Sequence, residues 1–105
     1  MKTTNAAQML AALGYEARLE IFRYLVRIGP DGASAGDIAH HCNITASTLS
    51  HHLNQMRQVG LITRVRASRS LIYSADFANM GNLINFLSDE CCNGHPELCL
   101  KGTDT

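Results

Sequence analysis

The chain has 105 residues, 46% of them hydrophobic and 17% charged, and its nine basic and nine acidic side chains cancel to a formal net charge of zero. That length suits one domain with a modest core. No apolar run approaches the roughly 18–20 residues that cross a bilayer, and MKTTNAAQML has no signal-peptide h-region, so the expectation is a cytoplasmic protein with no membrane partner.

In such a compartment thiols stay reduced, and the four cysteines read as metal-binding, redox-sensing or inert rather than as a disulfide framework. Charge is unevenly placed. Between Asp37 and Asp76 there is no acid, yet Arg57, Arg64, Arg66 and Arg69 lie there with four histidines. A central positive field of this kind can meet phosphate.

The first element, in residues 5–14, sets Met9, Leu10 and Leu13 at helical spacing, with Gly14 as the stop. Residues 15–29 repeat the pattern through Leu19, Phe22, Leu25, Val26 and Ile28, with Arg18, Arg23 and Arg27 opposite, and end at Gly29-Pro30. PDGAS reads as a loop. Ser34 suits the N-cap of a short helix, AGDIAHHC, with Asp37 three residues on as in a capping box.

NITASTLSHHLNQMRQVGLI (43–62) is the most informative stretch. Asn43 closes the short helix, and Thr45 is placed to cap the next through its hydroxyl. Leu49, Leu53 and Met56 form one apolar stripe, and Gly60 is the expected left-handed stop. Ala46, Ser47, Ser50, His51, Asn54 and Gln55 are left outside, small or hydrogen-bonding side chains that can approach a base edge. Two short helices with a tight turn, the second polar outside, make a helix-turn-helix.

Residues 61–65 and 71–74 then read as two strands about the basic tip RASRS, a β-hairpin wing. The last helix, in residues 77–92, carries Phe77, Met80, Leu83, Ile84 and Leu87 along one side. The fold class is therefore mainly α with a small β-hairpin, a winged helix-turn-helix in the order helix-helix-helix-helix-strand-strand-helix. Apolar helices at both chain ends point to a homodimer. Residues 1–90 form the DNA-binding and dimerisation domain, and residues 91–105 a cysteine-containing tail.

LAALGYEARLEIFRYL (10–25), ITASTLSHHLNQMRQVGLI (44–62) and the wing end LIYS (71–74) resemble the ArsR/SmtB family of winged-helix repressors, whose signatures run LADPTRLRIL and LSQSTVSHHLKVLREAGLV. GYEA stands where the family usually has DPTR, with Arg18 keeping a basic residue at the end of that stretch. The resemblance implies a homodimer built from the first and last helices, which binds a palindromic operator in double-stranded DNA and is released by an inducer. The DNA contacts are assigned to Ser47, Thr48, Ser50, His51 and Gln55, with Arg66 and Arg69 of the wing near phosphate or the minor groove.

Two sensor sites familiar in this family are missing from the sequence. The segment SAGDIAHHC has Cys42 but no Cys-x-Cys pair, and FANMGNLINFLSDE has no histidine. Some arsenic-responsive members carry an adjacent cysteine pair followed by a third at this end, as DECCNGHPELC does here. Cys91, Cys92 and Cys99 could give three soft thiolates to As(III), with Sb(III) as a substitute inducer. Gly94 and Pro96 would allow the bend that returns Cys99 to the pair. Zinc on the same cysteines with His95, a redox or persulfide switch closing Cys92 on Cys99, and inert thiols remain alternatives. Cys42 reads as a small half-buried side chain, His52 as packing against the helix pair and His51 as facing DNA. The tail offers His95 and Glu97 but no cofactor loop, so an enzyme is not expected.

Overall fold

The computed structural model describes residues 1–89. Five helices and a three-stranded antiparallel sheet follow in the order α1 (Thr3–Leu13), α2 (Glu16–Ile28), β1 (Ala33–Ser34), α3 (Ala35–Cys42), α4 (Ala46–Gln58), β2 (Ile62–Ala67), β3 (Ser70–Ala75) and α5 (Phe77–Ser88). Cys91, Cys92, Cys99 and the tail lie outside the described residues.

The helix-turn-helix arises as its sequence requires. Ser34 Oγ accepts from the Asp37 backbone N–H at 3.2 Å, which caps α3. Asn43 closes it in the left-handed region at φ 55°. Leu49, Leu53 and Met56 of α4 are buried, beside Ile21 and Leu25 of α2 and Ile38 of α3 in one core. Gly60 takes φ +81°, and a Cβ there would stand 2.8 Å from Asn79 Nδ2, so any other residue would strain the exit from α4 and displace the Asn79 amide.

Several expectations are corrected. Ala33 and Ser34, read as loop, pair with Tyr73 and Ile72 of β3 and add a third strand, giving the order β1-β3-β2. Gly32 makes this possible. It sits at φ +72°, and a Cβ there would collide with the Tyr73 carbonyl oxygen. The wing strands run longer than expected, because Ala67 pairs with Ser70 and leaves a turn of Ser68 and Arg69. Thr45 does not cap α4 with its side chain; its hydroxyl donates to Thr48 Oγ1 at 3.0 Å instead. The last helix stops at Ser88 rather than residue 92.

The largest correction concerns α2. Arg18, placed by its charge on the outer face, is only 7% exposed, whereas Leu19 and Ile28 remain outside and Ile21 fills the core. Two neighbours allow a guanidinium inside. Its carbon lies 4.3 Å from the centre of the Tyr15 ring, and its Nε donates to His52 Nδ1 of α4 at 3.0 Å.

Candidate nucleic-acid interface

Helix α4 presents three different rows. Leu49, Leu53 and Met56 hold it to the core. Ser47, Ser50, His51 and Asn54 lie at i, i+3, i+4 and i+7, and all four are exposed. That spacing puts them on one outward row. Each can donate or accept a hydrogen bond, and none is bulky and apolar. Thr48 is exposed at the helix start, where it holds Thr45.

The third row, His52 and Gln55, is half-buried and turned toward α2 and α1. Gln55 thus stands apart from the outward row, lining a cavity with Tyr15 and Arg18. His52 packs against α2 as its sequence reading anticipated. Burial, then the nearby Arg18 and His51 charges, pushes the His52 imidazole below its ordinary value. Neutral at pH 7, it can accept the Arg18 hydrogen bond at Nδ1.

The hairpin supplies the charge. Ile62, Arg64 and Arg66 share one face of β2 by strand alternation, paired with Ala75, Tyr73 and Leu71. Ile62, Tyr73 and Ala75 are buried, whereas Arg64 and Arg66 lie past the core and are exposed. Arg69 is exposed in the turn, beside Ser68 at φ 58°. Arg64, not assigned to DNA from the sequence, shares the Arg66 face. Strand parity was the signal that could have found it.

The start of α5 is tied to the end of α4. Asp76 caps α5 by accepting from the Asn79 backbone N–H at 3.0 Å, and Asn79 Nδ2 donates to the Gly60 carbonyl at 3.0 Å. One short polar link thus joins the start of α5 to the segment that leaves α4.

Cys42 packs half-buried against the core. Burial, then Glu20, pushes its thiol up, partly offset by Arg27, so it is protonated at neutral pH and a weak metal ligand. His41 is taken up by stacking on Tyr24, with ring centres 4.2 Å apart. Among the described residues no three His, Cys, Asp or Glu side chains gather as a metal site. No helix among them is long and apolar enough to cross a membrane.

A polar-faced second helix beside an arginine-bearing hairpin defines a winged-helix DNA-binding domain. A family model described as a helix-turn-helix domain matches residues 13–65. HTH-type transcriptional regulator YgaV of Escherichia coli (strain K12) is 33% identical over 88 residues, which are 84% of this chain and 87% of that one. An ArsR-like transcriptional regulator from Rhodococcus sp. RHA1 superposes with a TM-score of 0.76 at 24% identity, covering 97% of this chain and 93% of that one. The winged helix-turn-helix domain of Mb0332 from Mycobacterium bovis, described as homodimeric, superposes at 0.66 with 22% identity over 83% and 81%. The chain belongs to the ArsR/SmtB family of DNA-binding winged-helix transcriptional regulators. The family and fold expected from the motifs are borne out.

Proposed function

We propose that this regulator is a homodimeric repressor of a palindromic operator, released when As(III), or Sb(III) in its place, binds the thiolates of Cys91, Cys92 and Cys99. The observation that carries the DNA half is the exposed row of Ser47, Ser50, His51 and Asn54 beside the exposed arginines of the wing. Ser47, Thr48, Ser50 and His51 would meet base edges and nearby phosphates. Arg66 and Arg69, with Arg64, would neutralise backbone charge. Gln55 would reach DNA only from the flank of the helix.

Dimerisation is supported by large apolar side chains left uncovered on the end helices, Leu10 on α1 and Ile84 and Leu87 on α5. The homodimeric M. bovis neighbour has the same fold. A two-fold axis through these helices would present two α4 helices to successive major grooves.

The inducer half rests on the chemistry of three soft donors within nine residues of a reducing-compartment protein. As(III) joined to all three would order the tail at the end of α5. Displacement of α5 would then pass through Asn79 and Gly60 to α4. Linkage requires the inducer to bind the DNA-free form more tightly, and a coupling of about 1–3 kcal/mol changes operator affinity about 5- to 150-fold.

The test is titration of operator-bound, reduced protein with arsenite, read by fluorescence anisotropy. Cys91→Ser, Cys92→Ser and Cys99→Ser should each bind operator normally and resist release, whereas Cys42→Ser should release like the parent. Full release of the Cys91→Ser/Cys92→Ser protein by arsenite would sink the three-thiol site. Release by zinc or by a persulfide donor, with none by arsenite, would assign the same tail to a different inducer.

A further inference from the structure

Arg18 brings a full positive charge into the interior and, among the described residues, meets no negative one there. Its Nε is spent on His52 and its face on Tyr15, and neither partner is an anion. Among the described residues its two terminal nitrogens donate to nothing, yet the structure contains no sealed, unsatisfied side-chain nitrogen or oxygen. The remaining donors of the fork are therefore accessible, and Arg18 lines the adjoining cavity.

That cavity, of about 520 Å³, lies between α1, the start of α2 and the far half of α4. Gln8, Tyr15, Arg18, Gln55, Gln58 and Val59 line it, and among the described residues no acidic side chain does. We propose that it is a binding site for a small carboxylate-bearing molecule, anchored on the terminal nitrogens of Arg18 and flanked by the amides of Gln8, Gln55 and Gln58.

The chemistry favours that class on three grounds. A buried guanidinium is ordinarily matched by an anion, and here the lining leaves the place of that anion open. The planar fork matches a carboxylate's two oxygens, and amide side chains can serve a ligand's other polar groups as donor or acceptor. The volume falls within the range of small-molecule sites, about 300–1,000 Å³.

A DNA phosphate fits less well. The nucleic-acid backbone meets protruding side chains such as Arg64, Arg66 and Arg69, which are exposed, whereas Arg18 is recessed and 7% exposed. The proposal uses none of the tail's thiols and does not depend on their role. Because Gln55 and Gln58 belong to α4 and Arg18 also holds His52 of the same helix, the ligand would touch the recognition helix directly, a position from which it can alter DNA affinity.

Benzoate, its uncharged isostere benzamide and inorganic phosphate serve as probes in an NMR titration of the DNA-free full chain. The signals followed are the Arg18 Nε–H and the side-chain amides of Gln8, Gln55 and Gln58. Benzoate should shift these four together and saturate in the millimolar range, with benzamide weaker by about tenfold or more, the equivalent of one lost charge-assisted contact. Gln58 is exposed at the edge of the cavity, so Gln58→Glu keeps the fold and supplies a rival carboxylate. It should weaken benzoate by about tenfold. Arg18→Lys, which loses the fork, should do the same if its backbone spectrum stays native. Absence of shifts at Arg18, equal response to benzamide, or undiminished benzoate binding by Gln58→Glu would overturn the site. Saturation by phosphate alone, with operator DNA protecting the same signals, would reassign Arg18 to the DNA backbone and overturn it equally.

Discussion

Helices α2 and α4 have thirteen residues each and turn one side into the same core, yet they distribute charge in opposite ways. In α4 the buried positions are all apolar, Leu49, Leu53 and Met56, and the polar side chains lie outside or on the flank. In α2 an arginine is buried along with Ile21, Phe22 and Leu25, while Leu19 and Ile28 face outward. The difference follows from what the neighbours present, since each helix touches four elements: α2 meets α1, α3, α4 and β3, and α4 meets α1, α2, α3 and β2. To Arg18 of α2, α4 presents an imidazole, and the charge goes where that acceptor is.

Truncation of the core should not distinguish the two helices. Leu25 and Met56 are both fully buried, so Leu25→Ala and Met56→Ala should each cost about 2–5 kcal/mol in urea unfolding. A much smaller loss for Leu25→Ala would show that α2 is held by its polar contacts instead.

The junction after α4 comes next in size. Gly60→Ala imposes a left-handed alanine and a close approach to Asn79 Nδ2, with an expected loss of about 1–3 kcal/mol. Asn79→Ala alone should cost about 0.5–1.5 kcal/mol through its hydrogen bond to the Gly60 carbonyl. In the double variant the collision is gone, so the two losses should sum to less than their separate values. Strict additivity would show that the α5–α4 link is weaker than its geometry implies.

On DNA, α4 and the wing should separate. Ser50→Ala and His51→Ala should reduce preference for operator over random DNA, each by about 1–3 kcal/mol if it meets a base edge. Arg66→Ala should weaken both kinds of DNA alike and lower the salt slope by about one. An unchanged salt slope would remove Arg66 from the phosphate-binding set.

Local chemistry made much of this molecule legible. The stripe Leu49-Leu53-Met56, the cap at Ser34, the left-handed stop at Asn43 and the glycine at position 60 each act within a few residues, and together they define the helix-turn-helix. What escaped was non-local. Strand β1 is two residues long and exists because β3, far along the chain, offers it an edge. The burial of Arg18 depends on Tyr15 one turn before it and on His52 in another helix, which no periodicity within α2 encodes. Gln55 looked like an outward residue because it is polar, yet it stands on the row that follows His52 toward α1. Polarity located the recognition helix but did not divide its two polar rows.

The smallest expected effect tests the flank that joins the two helices. His52 is held below its ordinary value by burial, Arg18 and His51, so the unfolded chain takes up a proton there more readily than the folded one. Above the ordinary imidazole value of about 6.5 both states are neutral at this residue and it adds no pH dependence. As pH falls through that value the unfolded state is favoured, and stability declines until the folded-state value is passed. Protonated Nδ1 also loses its capacity to accept from Arg18. His52→Gln keeps an acceptor within reach without a titrating group. Its unfolding midpoint in urea should therefore fall less than that of the parent between pH 7 and pH 5, roughly one unit to either side of the imidazole range. The difference should be confined to that interval and absent at pH 8, since the remaining histidines are common to both proteins. Parallel curves for parent and variant would mean that His52 gains a proton in the folded state without resistance, and the Arg18–His52 bond would then contribute nothing to holding α4 against α2.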